Sequence, residues 1–243
     1  MKKMLEVELL KLKNSWVLLV ATLAPGFMVF QGVANFLRYY ELFTSRGQNV
    51  WHQIYLQSSI FYVSAMLPVL ITLIMVSIAR IEYKSGGLRY FLTLPVKRSG
   101  VYAAKLIVGC MVCLFNVLVF SLSLLVAGKV INAPGSIPYD IILTKPLMVY
   151  IASLPVMIIT FLLSINISQM GIPLGIGIGF ALPSLLVANT RYWVFYPWTY
   201  PIMAALGGDF FEKAYFPFAA GFLIFVLLAF AGLRWFMEKD VLD

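Results

Sequence analysis

Arg80-Ile-Glu-Tyr-Lys-Ser-Gly-Gly-Leu-Arg-Tyr-Phe-Leu-Thr-Leu-Pro-Val-Lys-Arg98, continuing to Lys105, is the one long, strongly charged interruption between hydrophobic stretches of this 243-residue chain. A membrane span needs about 20 mostly apolar residues at 1.5 Å rise. Outward from the charged segment, residues 58–79 and 106–130 meet that test, and so do 15–36, 147–167, 171–188 and 217–236. The chain is 62% hydrophobic and 12% charged, with a mean hydropathy of +0.93. Soluble domains carry about 25% charged residues, so this composition describes an integral membrane protein. The first span lacks a small-residue cleavage site and is too long for a signal peptide, so it is expected to stay. The expectation is an all-α, polytopic, six-span bundle forming one transmembrane domain over 1–243, with a connecting segment at 80–105.

The net charge of +8 reads as topology once it is located. With both termini cytoplasmic, the inner segments hold Lys2, Lys3, Lys11, Lys13, Arg80, Lys84, Arg89, Lys97, Arg98, Lys105, Arg234 and Lys239. The outer ones hold Arg38, Arg46, Lys129, Lys145, Arg191 and Lys213. Twelve against six orients the bundle by the positive-inside rule, and a nucleic-acid partner is not expected.

Between the spans, residues 1–15 place Leu5, Leu9, Leu12 and Trp16 at helical spacing with lysines mostly off that stripe. They read as an amphipathic helix on the inner membrane surface, or as a plain charged flank to the first span. His52, in an outer loop at about 37–57, is assigned no role. Pro68 removes a backbone hydrogen bond inside the second span and is expected to kink it. Asn116, near the centre of the third span, must face other helices or a wet cavity; both helix packing and substrate contact fit. The outer loop 131–146 is rich in turn formers. Gly171, Gly175 and Gly179, at i, i+4, i+8, form a ridge that permits close helix approach. From Asn189 to Pro217 an aromatic, proline-broken stretch suggests short helices at the outer interface. Trp193, Tyr196, Trp198 and Tyr200 then make either an outer gate touching substrate or an aromatic belt.

Much chemistry is missing. There is no G-x-x-x-x-G-K-[ST], so the chain brings no P-loop of its own. One histidine and scattered carboxylates make no metal cluster, and no Ser/His/Asp arrangement can be assembled inside the membrane. Cys110-x-x-Cys113 lies within the third span and lacks the further ligands that zinc requires. The spans also lack the acidic residues of ion-coupled carriers. A pump without its own energy source needs a partner.

In the segment 80–105, Ser85 is placed to cap a short helix that puts Leu88, Phe91 and Leu92 on one face. Pro95 ends that helix, and Lys97 and Arg98 restart the chain toward the third span. Such a helix suits insertion into a groove of a cytosolic protein, or else a surface-lying connector. Glu82, Gly86 and Gly87, Leu88, Leu92, Leu94-Pro95-Val96, Arg98 and Lys105 resemble the E-x-x-x-G-[TL]-x-x-x-L-x-L-P-[VI]-x-R…K signature of ABC-2 type permeases. Tyr83-Lys84-Ser85 departs from the acidic or arginine-rich residues common there.

The resemblance implies that this segment is the coupling helix, on which a cytosolic P-loop ATPase dimer pushes. Leu88 and Leu92 would be its knob, with Phe91 on the same face, and Glu82 and Arg98 would hold it in place. ATP and Mg would be bound by the partner, with no cofactor and no catalytic residue in this chain. A second permease, identical or related, would complete the complex. The compact outer loops and Tyr196-Pro-Trp-Thr-Tyr-Pro resemble the permeases of lantibiotic immunity transporters in bacterial cytoplasmic membranes. That implies an amphipathic peptide substrate. Exporters of other drugs or lipid-like substrates share most of these features, and a non-transporting membrane anchor or sensor is the rival outside transport.

Overall fold

In a computed structural model, the structure describes residues 2–13, 15–45, 47–80, 97–167, 169–207 and 215–238. All regular structure among them is helical. In chain order the α-helices are α1 (Lys2–Leu12), α2 (Trp16–Arg38), α3 (Tyr40–Thr44), α4 (Val50–Phe61), α5 (Leu67–Arg80) and α6 (Arg98–Val130). Then follow α7 (Lys145–Ala152), α8 (Leu154–Asn166), α9 (Gly171–Ala181), α10 (Ser184–Ala188), α11 (Tyr200–Leu206) and α12 (Phe216–Glu238). Among the described residues, five stretches are long and apolar enough to cross a membrane: α2, α4–α5, α6, α9–α10 and α12. The pair Asp140–Ala152 and Leu154–Asn166, bent by 41° at Ser153, passes the same test only when taken together, which brings the count to six if the two halves form one span. Local chemistry explains the helix ends. Ser15 caps α2 by accepting from the Val17 amide, and Asn49 caps α4 by accepting from Trp51. α6 closes with Asn132 at φ 52, where Ala133 N–H reaches Gly128 C=O and Asn132 N–H reaches Lys129 C=O. Asparagine tolerates that left-handed conformation, so two of the last helical carbonyls are satisfied.

Three expectations are corrected. The second span begins at Val50 rather than near residue 58, which makes His52 part of a helix. The third begins at Arg98, so Lys105 stands two turns inside α6. The third correction concerns α1. Leu12 is buried and Leu5 packs on the core, but Leu9 and Trp16 are exposed, so the proposed stripe is split between two faces. The buried face includes Glu8, and a methyl group on Gly100 would run into Met4 Sδ at 2.7 Å. α1 therefore lies against the first turns of α6 through a face that mixes charge with apolar side chains.

Pro68 does not break its span. A π-helical turn, Tyr62–Met66, precedes it, and Leu67 N–H reaches back five residues to Tyr62 C=O. Proline has no N–H for the carbonyl four residues earlier, here Ser64. The Ser184 hydroxyl on α10 reaches that carbonyl at 2.9 Å, sharing its one proton with Ala181 C=O at 2.7 Å. α2 repeats the device. Pro25 deprives Ala21 C=O of its helical donor, and Asn116 Nδ2 on α6 supplies one at 2.8 Å. In a bilayer no water is at hand to satisfy such a carbonyl, so each proline obliges a neighbouring helix to provide a donor.

Candidate functional site

At one end of the bundle the chain leaves α5 at Arg80 and re-enters at Arg98, with a basic cluster around both points. Arg80 is buried, and its Nε donates to Ser164 C=O on α8 at 3.3 Å. Lys105, also buried, donates to Ile78 C=O at 3.2 Å and meets Glu8 Oε2 at 3.4 Å. Glu8 Oε1 accepts from Lys11 at 2.7 Å. Together α1, α5, α6 and α8 are cross-braced by charge-assisted bonds where the connecting segment attaches. Such bonds are worth about 1.5–3 kcal/mol each when well aligned. Arg98 starts α6 and is half-buried there. Glu82, Gly86, Gly87, Leu88, Phe91, Leu92, Leu94 and Pro95 lie outside the described residues. Sequence reasoning missed Glu8 as the carboxylate of this cluster. The signal was its position, three residues before Lys11 on the face that carries Leu5 and Leu12.

At the other end, the aromatic stretch folds into two 3-10 turns, Arg191–Phe195 and Pro197–Thr199, followed by α11. The Thr199 hydroxyl bridges Trp193 C=O at 2.9 Å and Tyr196 C=O at 2.7 Å, which locks the turns together. Trp193, Trp198 and Tyr200 are all buried. Trp198 Nε1 donates to Gly177 C=O at 3.2 Å, Tyr200 to Val194 C=O at 2.7 Å and Tyr196 to Phe180 C=O at 2.6 Å. Phe216 at the start of α12 stands edge-on to Trp193 and to Tyr200. Burial pushes the Tyr196 and Tyr200 hydroxyls above the usual tyrosine range, so both stay protonated donors at neutral pH. Three of the four aromatics singled out from sequence thus plug this end of the bundle from within. The side chains turned outward are others: Phe195 at 83%, Tyr215 at 85% and Tyr192 at 58% exposure. Arg191 lies over the Tyr192 ring, 5.2 Å from its centroid.

Asn116 belongs to neither end. It is fully buried; Oδ1 accepts from Tyr62 OH at 2.8 Å and Nδ2 donates to Ala21 C=O at 2.8 Å. The Tyr62 ring stacks on Phe120 with centroids 4.0 Å apart. Asn116 therefore knots three helices together through both ends of its amide. Among the described residues no three His, Cys, Asp or Glu side chains could hold a metal ion.

The decisive comparison is with protein families. Residues 4–138, more than half of the chain, match the ABC-2 family transporter protein. The chain belongs to the ABC-2 transporter family. It is therefore a multi-pass membrane protein and the permease subunit of an ABC exporter, a transport subunit whose family implies partnership with an ABC ATPase. No curated protein matches the chain. The matched region runs from α1 through α6 and so takes in Glu8, Lys11, Arg80 and Lys105 of the braced basic end, while Ser164 on α8 lies beyond it.

Proposed function

We propose that this ABC-2 permease expels an amphipathic antimicrobial peptide of the lantibiotic class from a bacterial cytoplasmic membrane, as a self-protection device. The observation that carries the reading is the pairing of an outward-turned aromatic and basic rim with a sealed aromatic plug beneath it. Phe195, Tyr192, Tyr215 and Arg191 offer a surface on which an amphipathic peptide can lie, and Trp193, Trp198 and Tyr200 hold that surface in shape. Tyrosine and tryptophan favour the headgroup level, where a membrane-bound peptide arrives laterally. The whole chain, 1–243, acts as one permease domain with both termini cytoplasmic. The braced basic end faces the ATPase dimer, which holds ATP and Mg, and a second permease completes the complex.

Closure of the ATPase dimer drives the segment that carries Leu88, Phe91 and Leu92. The braces Arg80–Ser164 and Lys105–Glu8 pass that displacement into α8 and α1 instead of letting it dissipate. Glu82, Gly86, Gly87, Leu94, Pro95 and Arg98 set the position and shape of the pushed segment. The test is a survival assay. Cells expressing the chain with its ATPase are challenged with a cationic lanthionine peptide, and the dose that halves growth is measured. Wild type should raise that dose, and Leu88→Ala and Leu92→Ala should abolish the protection at unchanged membrane levels. Phe195→Ala combined with Tyr192→Ala should lower protection while leaving ATPase stimulation intact. Full protection by the Leu88 and Leu92 variants sinks the coupling assignment, and wild-type protection against unrelated small drugs but not the peptide sinks the substrate assignment.

A further inference from the structure

Where α2 crosses α4, Gly32 sits so close to Ser58 that a methyl group on it would come within 2.6 Å of the Ser58 Cα and backbone nitrogen. Beside this crossing opens a cleft of about 290 Å³, lined by Gln31, Asn35 and Arg38 of α2 and by Gln57 and Phe61 of α4. Such a lining is out of keeping with the rest of α2's outer face, where Leu23, Phe27 and Phe30 are 58–71% exposed and form a surface for acyl chains. Polar side chains on a span are costly unless they face a partner. Asn35 Nδ2 donates to Gln57 Oε1 at 2.8 Å, which leaves the Gln57 amide NH₂ to donate elsewhere. Next to the cleft-lining Gln57, the Ser58 hydroxyl is buried against Gly32 and has no hydrogen-bond partner. No carboxylate lines the cleft, and its one ionised group is a guanidinium.

We propose that this cleft binds the phosphate of an anionic phospholipid whose acyl chains lie along the neighbouring α2 stripe. Position supports the assignment. Arg38 is the last residue of α2, and the exposed Tyr39 and Tyr40 that follow it suit the headgroup level. Gln31 lies seven residues earlier, roughly 10 Å deeper at 1.5 Å per residue. The cleft thus spans the boundary between headgroup and hydrocarbon. Arginine matches a phosphate bidentately, and neutral amides complete the donor set without adding charge at depth. The volume falls just under the ~300 Å³ at which small-ligand pockets begin, which fits a headgroup rather than a whole peptide.

The full chain, purified in mild detergent, is titrated with dioleoylphosphatidylglycerol, with dioleoylglycerol (the same tails without phosphate) and with inorganic phosphate, and bound mass is read by native mass spectrometry. Wild type should hold one phosphatidylglycerol per chain, at least tenfold tighter than dioleoylglycerol, and inorganic phosphate should not displace it. Arg38→Gln and, independently, Gln57→Leu should each weaken the adduct at least tenfold at unchanged helix content, while Arg38→Lys weakens it less. Lys129→Gln, at the same end of the bundle, should leave it unchanged. Retention of the lipid by both Arg38→Gln and Gln57→Leu overturns the proposal. Displacement by inorganic phosphate overturns the lipid as the source. A dimer mass that Arg38→Gln abolishes while lipid binding persists gives this face to a second copy of the chain and also overturns it. None of these readings depends on the peptide substrate.

Discussion

Asn116→Leu is the substitution whose cost can be worked most directly from the structure. It removes two hydrogen bonds at full burial, one from Tyr62 OH and one to Ala21 C=O, each 2.8 Å long. Side-chain bonds between membrane helices average about 0.6 kcal/mol and reach about 1.7 kcal/mol, which brackets the loss at roughly 1.2–3.4 kcal/mol. The upper half of that range, about 2.3–3.4 kcal/mol, is expected because Pro25 cannot supply the amide that Ala21 C=O would otherwise use. The same logic predicts a specific rescue. Pro25→Ala restores that amide, so the second substitution should recover one bond's worth of stability, about 1 kcal/mol, only when Asn116 is already gone. The purified chain is unfolded by titrating sodium dodecyl sulfate into mixed micelles, followed by far-ultraviolet circular dichroism, for wild type, both single variants and the double. Tyr62→Phe, which keeps the ring stack on Phe120, isolates the other bond and should cost about 0.6–1.7 kcal/mol. If Asn116→Leu and Pro25→Ala add within about 0.3 kcal/mol, the claim that Asn116 substitutes for the missing amide is wrong.

The second proline offers a replicate: Ser184→Ala should cost about 1 kcal/mol in the same titration, and Pro68→Ala should erase the part of that cost owed to Ser64 C=O by giving it a backbone donor, leaving the part owed to Ala181 C=O. An undiminished cost in the Pro68→Ala background would contradict it. Trp198→Ala should destabilise by about 3–5 kcal/mol because the ring is buried and its indole N–H is bonded, whereas Phe195→Ala should stay within about 0.5 kcal/mol. Equal effects on thermal melting would mean the plug and the rim have been confused. Gly177→Ala should lower the melting temperature, since the added methyl overlaps the Thr72 side chain, while Gly175→Ala, with open space around it, should leave the temperature unchanged or raise it. A larger loss at Gly175 would show that its face is packed against something in the micelle.

Much of the bundle was legible because a span is written in a run of apolar residues, and runs survive without knowledge of neighbours. The short broken helices before α12 were legible for a related reason: prolines and aromatics at close spacing forbid a continuous span. Side-chain direction in that stretch was not. Trp193 and Phe195 are two residues apart and equally apolar, yet one is buried and the other is 83% exposed. A 3-10 turn sends them to different sides, and composition carries no record of that turn's orientation. Glu8 escaped notice because an acidic residue on a helix read as lipid-facing looks like a solvated charge until Lys105, 97 residues away in sequence, is brought beside it.

The sequence by itself determined that the chain is an all-helical membrane protein, where most of its spans run, and through its charged 80–105 segment, the family it resembles. Those properties follow from local composition, because burying a backbone in lipid requires helices whatever the neighbours are. Only the tertiary structure decided which polar groups serve which purpose. Pro25 and Pro68 create acceptors that are invisible in the chain's own pattern, and Asn116 and Ser184 meet them from helices 91 and 116 positions further along in sequence. A hydrogen bond is made or lost over about half an ångström, and that distance is set by how helices cross, which no periodicity encodes.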